Sequence, residues 1–187
     1  MCIRDRTYST PFAGVLYVGL ALTSKGPKVV EFNARFGDPE TQVVLARLRT
    51  PLGGLLRAAA LGELADFGPL EWSDDAAVTV VVASEGYPAK PVTGARIDGL
   101  DEVNGDGTAA GDGAYVLHAG TKLGSDGGIV SSGGRVLSVV GRGADLAAAR
   151  EVAYAGVERI TLPGGHHRTD IALKALKGEI TVEGEQA

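Results

Sequence analysis

The polar and apolar positions divide the chain into short strand-like runs and two kinds of helix. Gly14 to Leu22 (GVLYVGLAL) is almost continuously apolar, which predicts a strand covered on both faces. Ser24-Lys25-Gly26-Pro27 then reads as a turn, and Lys28 to Arg35 (KVVEFNAR) as the returning strand of a hairpin. The two-residue period of a strand puts Glu31, Asn33 and Arg35 on one face and Val30, Phe32 and Ala34 on the other. One face is expected to pack and the other to carry chemistry.

Asp38-Pro39-Glu40 predicts a helix start, with Asp38 as N-cap, Pro39 as the first helical residue and an acid in the first turn. That helix is expected to reach about Arg49 and stop before Thr50-Pro51, and a second to run from Leu52 to about Leu61. The looser stretch 62–75 holds Gly68-Pro69 and is where a subdomain boundary is expected. Beyond it, Ala76–Ser84, Ala114–Ala119, Gly128–Ser132 and Arg135–Val140 read as strands, with strand-like pieces in Val92–Val103 and turns at Ser125–Gly128 and Gly133-Gly134. Asn104–Gly113 has the composition of a flexible loop. Ala144–Ile160 is the clearest helix, with Leu146, Ala149, Ala153, Val157 and Ile160 at helical spacing. A terminal helix capped by Asp170 closes the chain.

Composition narrows the class. With 187 residues, 44% hydrophobic and 22% charged, the chain is long enough for a real core, and whole-length disorder is excluded. Its 28 glycines are about twice the usual share, so turns and close backbone approaches are expected. A net charge of -5 with interspersed signs argues against nucleic acid as partner. The single cysteine, Cys2, excludes a disulfide framework and points to a reducing, cytoplasmic setting. No run approaches a membrane span. Met1 to Arg6 (MCIRDR) fits nothing that follows and is read as a leader foreign to the fold.

For chemistry, Glu31-Phe32-Asn33-Ala34-Arg35 is the most informative element. A carboxylate and a carboxamide two residues apart offer two oxygen ligands at about 7 Å of backbone spacing. They suit a hard cation such as Mg²⁺, and Arg35 adds a cationic fork for a phosphate or carboxylate. From spacing alone, the polar half of a half-exposed strand looks the same, and that plainer reading stands beside the first. Gly37–Thr41 likewise reads as a helix cap, or as a helix N-terminus that helps bind an anion. His118, at a strand end, is more often structural, and the adjacent His166 and His167 would face opposite ways in a strand and form no chelating pair.

GVLYVGLALT followed by VVEFNARFGDPETQ resembles the last part of the ATP-grasp domain of the phosphoribosylamine–glycine ligases, the glycinamide ribonucleotide synthetases. AAVTVVVASEGYPAKPVTGARIDGL, VLHAGTK, GGRVLSVVGRGADLAAAREVAYAGVERI and HHRTDI resemble that family's C-terminal domain, in order, so the likeness covers about residues 11–175. It implies an α+β architecture in which, after the 1–6 leader read above, 7–70 are the end of an ATP-grasp subdomain of antiparallel strands and helices and 71–187 a small β-rich C-terminal domain with one long helix. It implies ATP-dependent ligation of glycine to 5-phosphoribosylamine through a glycyl phosphate, in de novo purine biosynthesis. It makes Glu31 and Asn33 ligands of Mg²⁺ or Mn²⁺, directs Arg35 at the reacting substrate, and puts Asp38 and Glu40 in its neighbourhood. The resemblance reverses the weighting of the plainer reading for Glu31 and Asn33.

Two departures stand out. Ala34 occupies a position where relatives often carry Cys or Val, and LYVGLAL supplies no earlier carboxylate as a further metal ligand. A complete family member is longer, so its N-terminal domain and the ATP-clamping lysines would lie upstream. The chain alone is then expected to show little ligase activity, and its hairpin to expose apolar surface that the missing part covers. His118, Gly120, Thr121, Arg168 and Asp170 are candidates for contacting phosphoribosylamine. The competing expectation is a non-catalytic β-rich module that uses its glycine loops for a ligand or partner. Another ATP-grasp ligase of purine metabolism fits less well, because GDPETQ and the C-terminal stretches occur together.

Overall fold

The structure, a computed structural model, describes residues 12–23, 25–104 and 113–180. The expected leader, Ser24 of the hairpin turn and nearly all of the Asn104–Gly113 loop lie outside the described residues. The chain divides into two compact units, one holding residues 12–41 and 48–73 and the other 42–47 and 74–180. Among the described residues all strand pairings are antiparallel, and helices are interspersed among them.

In the first unit β1 (Tyr17–Thr23) and β2 (Gly26–Asn33) form a two-stranded hairpin. Thr23 faces Gly26 across a two-residue turn, and the Thr23 hydroxyl donates to the Gly26 carbonyl at 2.8 Å. Gly26 and Pro27 therefore belong to β2 and not to the turn. Glu31 pairs with Gly19 and Val29 with Leu20, so Val30 is the extra residue of a bulge. The bulge lies before Glu31, which leaves the alternation from Glu31 to Asn33 intact. β1 is not covered on both faces as its apolar run predicts: Leu20 is 53% exposed, and Val30 and Phe32 on β2 are 69% and 63% exposed. Two strands alone cannot bury both sides of a sheet.

α1 (Glu40–Arg47) starts one residue later than expected, after a cis Asp38–Pro39 peptide. It stops at Arg47, because Leu48 bridges to Trp72 and Arg49 donates its N–H to the Glu71 carbonyl at 2.9 Å. α2 (Leu52–Leu61) matches its predicted span and ends at Gly62, whose φ of 77° is the left-handed conformation that glycine adopts without strain.

In the second unit β3 (Ala76–Ala83), β7 (Arg135–Gly143) and β4 (Tyr115–His118) form a sheet in the order β3-β7-β4. β5 (Thr121–Leu123), which the sequence reading misses, pairs with β6 (Ile129–Ser131). Strand-like pieces were expected in Val92–Val103; only single bridges at Arg96 and Asp98 form there, followed by the short helix α3 (Leu100–Asn104).

α4 (Leu146–Glu158) packs on the sheet and buries Ala149, Ala153 and Val157 against Val80 and Val139. Burial of a valine such as Val157 contributes about 1.5 to 3 kcal/mol, and each alanine methyl less, about 0.8 kcal/mol. The approach is close because β7 is glycine-bearing here: a Cβ on Gly141 would stand 2.3 Å from the Ala153 nitrogen. Asp145 caps α4 by accepting from the Ala148 N–H at 2.8 Å.

The segment after α4 is clipped onto it. Arg150 donates to the carbonyls of Ile171 (2.9 Å) and Thr169 (2.7 Å), and the Tyr154 hydroxyl donates to that of Arg168 at 2.7 Å. The last helix among the described residues, α5 (Leu173–Leu176), has Ala172 and not Asp170 at its N-cap. Asp170 is engaged instead by Arg168. No helix among the described residues is long and apolar enough to cross a membrane.

Candidate functional site

The predicted chemistry gathers on one face of the hairpin. Cross-strand partners share a face, so Glu31 lies opposite Gly19 and Asn33 opposite Tyr17, all four on the side away from Leu20 and Phe32. Gly19 offers no side chain of its own, and a Cβ there would touch the Glu31 Cγ at 3.3 Å. The glycine thus leaves the space beside the carboxylate open.

Arg35 lies two residues past the end of β2, in a bend, so it does not continue the strand face as its period predicted. Its Nη1 donates to the Phe36 carbonyl at 2.8 Å. The bend turns the chain back towards β1. Gly37 is buried, and a Cβ on it would lie 2.7 Å from the Glu40 Oε2 and 3.0 Å from the Tyr17 Cδ2. The Thr41 N–H donates to the Gly37 carbonyl at 3.3 Å, which closes the first turn of α1.

Tyr17, which the sequence reading leaves as one more apolar strand residue, is central to this arrangement. Its hydroxyl donates to the Glu40 carboxylate, and this bond holds the phenol proton and raises the Tyr17 pKa above its ordinary value. Burial and the negative charges of Glu40 and Glu31 act in the same direction, while Arg35 opposes them. Glu31, Arg35 and Glu40 are therefore all within electrostatic reach of one phenol. A two-residue turn alone would set Tyr17 opposite Phe32, and the bulge at Val30 moves it opposite Asn33, so turn length by itself does not reveal the pairing.

One polar atom of the face is unsatisfied. Asn33 Nδ2 is buried and meets no hydrogen-bond partner among the described residues. A buried amide normally has one, and by turning about its last torsion the carboxamide can present its oxygen at that spot instead. Together with the Glu31 carboxylate this donor set fits a hard divalent cation bound through oxygen and completed by water or phosphate. No group of three or more His, Cys, Asp or Glu side chains assembles among the described residues, so a site built wholly from such ligands has no counterpart there.

The remaining candidates meet in two pairs, His118 with Thr121 and Arg168 with Asp170. His118 ends β4, with its Nδ1 3.0 Å from the Thr121 Oγ1. His166 bridges to Ala83 on β3, and β7 lies between β3 and β4. Arg168 is bound to Asp170 through two hydrogen bonds of 2.8 and 2.7 Å, a bidentate pair that uses the fork an external anion would need. A separate cavity of about 380 Å³, lined by Gly54, Arg57, Ala58, Glu63, Asp66 and Phe67, contains none of the predicted site residues.

Comparison with known proteins agrees along the chain. The family model described as "Phosphoribosylglycinamide synthetase, C domain" matches residues 77–174, and "Phosphoribosylglycinamide synthetase, ATP-grasp (A) domain" matches 4–41, a span that includes Arg4, Asp5 and Arg6. The chain is 65% identical over 172 residues to a phosphoribosylamine–glycine ligase of Streptomyces coelicolor, an alignment covering 91% of this chain and 40% of that protein. It is 60% identical over 171 residues to the Mycobacterium tuberculosis protein of the same name, covering 91% of this chain and 38% of the relative. The crystal structure of the Thermotoga maritima phosphoribosylamine–glycine ligase superposes with a TM-score of 0.67 at 32% identity, over 83% of this chain and 36% of that one. The chain thus spans about two fifths of the length of the curated relatives it matches.

Proposed function

Because the chain belongs to the phosphoribosylglycinamide synthetase family, we propose that it is the part of an ATP-dependent ligase that carries the cation- and phosphate-handling face. In this reading glycine is joined to 5-phosphoribosylamine at the expense of ATP, giving glycinamide ribonucleotide, ADP and phosphate, a step of purine biosynthesis. A glycine carboxylate oxygen attacks the γ-phosphorus as ADP leaves. The phosphoribosylamine nitrogen then attacks the acyl carbon of the glycyl phosphate, loses a proton and releases phosphate. We assign residues 7–70 to the end of the ATP-grasp domain and 71–187 to the C-terminal domain, and place the enzyme in the cytoplasm.

The observation that carries this reading is the polar hairpin face, where Glu31 and the unsatisfied Asn33 stand side by side opposite Gly19 and Tyr17. Glu31 and Asn33 would hold Mg²⁺ or Mn²⁺. Such an ion, when bound, neutralises charge on the phosphates. Arg35 orients an anionic reactant near the same face, and Asp38 and Glu40 border it. The apolar reverse of the hairpin, with Leu20, Val30 and Phe32 exposed, offers a surface on which another part of the enzyme packs. A non-catalytic module has no use for the paired oxygen ligands.

The test is to extend the chain upstream from its source DNA and measure ADP release that requires both glycine and phosphoribosylamine. Glu31→Gln and Asn33→Ala are each expected to lower turnover at least about 100-fold, in the range known for groups that stabilise transferring charge. Unchanged rates in both would remove this face from the reaction. The 187-residue chain alone is expected to give no turnover above background.

A further inference from the structure

We propose that Tyr17 is a positioning residue of the hairpin face: its hydroxyl holds the Glu40 carboxylate beside the Glu31–Asn33 pair, where it accepts hydrogen bonds from the water shell of a bound divalent cation. The proposal rests on the reading of Glu31 and Asn33 as the cation site.

Three observations place the groups. Tyr17 is the register partner of Asn33, so its ring lies beside the carboxamide whose Nδ2 has no partner among the described residues. Gly37 is packed between the Tyr17 ring and the Glu40 side chain with no room for a Cβ, which fixes the distance between them. Glu31 shares the Tyr17 face of the hairpin, and Gly37 brings the Glu40 side chain to the Tyr17 ring, so both carboxylates lie on the side of that ring.

Physical reasoning then assigns the role. A Glu side chain at a helix start is long and otherwise free to swing into water, and freezing its rotamers costs entropy. The Tyr17 hydroxyl restrains it through one carboxylate oxygen and leaves the other lone pairs available. Divalent cations that prefer oxygen retain several waters, and carboxylates that orient such a shell alter metal affinity by about 10- to 100-fold.

The experiment uses the 187-residue chain and Mn²⁺ alone, with paramagnetic broadening of backbone amide signals as readout. Wild type is expected to show broadening centred on Glu31 and Asn33. Tyr17→Phe, which keeps the ring, should weaken the apparent affinity about 10-fold while amide shifts in the second unit stay unchanged. Glu40→Gln should weaken it similarly, and adding Tyr17→Phe to Glu40→Gln should change nothing further, because the hydroxyl acts only through that carboxylate. A purely structural role for Tyr17 would instead add its effect in both backgrounds. Wild-type affinity in Tyr17→Phe, or full additivity in the double variant, overturns the positioning role and leaves the cation site standing. No broadening at Glu31 and Asn33 in wild type overturns the cation site and the positioning role together.

Discussion

Replacing Gly141 by alanine tests how α4 is seated on the C-terminal sheet. The added Cβ would stand 2.3 Å from the Ala153 nitrogen, 2.5 Å from the Ala149 carbonyl oxygen and 2.8 Å from the Ala153 Cα. All three are backbone atoms of α4, so no rotamer change relieves the contact. Comfortable non-bonded separations are about 3.5 to 4.0 Å, so the helix must retreat by roughly 1 Å. A gap of that size forfeits about a quarter to a half of each dispersion contact. It falls on Ala149, Ala153 and Val157 where they meet the strands. Overpacking of this kind costs about 1 to 3 kcal/mol, occasionally more, and the rigid backbone on both sides argues for the upper end.

For a unit of this size that corresponds to a fall in Tm of roughly 10 to 20 °C. The assay is thermal and urea unfolding followed by far-ultraviolet circular dichroism. Gly53→Ala serves as control, because a Cβ there meets nothing within 4 Å in the first turn of α2. It should be neutral or stabilising by up to about 1 kcal/mol. A Gly141→Ala protein that melts within about 2 °C of wild type, well short of that expected shift, would refute the packing argument.

Two further outcomes follow from single contacts. Asp145→Ala removes the carboxylate that caps α4 and should cost about 1 kcal/mol, while Asp145→Asn should cost only a few tenths; urea midpoints at constant slope check both. The carboxyls of Asp126 and Asp170 should titrate below the ordinary Asp range, Asp126 chiefly because it accepts the Gly128 N–H and Asp170 chiefly because of Arg168. Their folded values are depressed, so any stability they lend is present above the ordinary Asp range and is lost as pH falls through the lowered values. Carbon-detected NMR titration of the two side chains reads this directly, and a midpoint at or above the ordinary range in either would contradict its assigned partner.

The helices show how much of the fold was legible. α2 and α4 lie where 3.6-residue periodicity puts them, and Asp145 caps α4 with its side chain, because these features depend on residues close in sequence. Asp170 looked equally suited to capping, yet Arg168 two residues away competes for its carboxylate and wins through two charge-assisted bonds. Leu100–Asn104 is a helix where strand pieces were expected, and Val103 is buried in the core there. Its apolar side chain fits either state, and only the surrounding elements decide between them. β5 escaped notice because three residues carry no period.

The sequence by itself determined that Glu31 and Asn33 share a strand face, that two helices follow, the second with its full span, and, through motifs such as EFNARFGDPETQ, which family the chain resembles. Those are local properties, written in spacing and residue type. The tertiary structure decided what the hairpin's register brings together: Tyr17 against Asn33, Gly19 clearing space for Glu31, and Gly37 drawing Glu40 onto Tyr17. It also decided that Leu20, Val30 and Phe32 stay exposed. An apolar run declares a tendency to be buried, but burial requires a second surface, and a two-stranded sheet supplies none of its own.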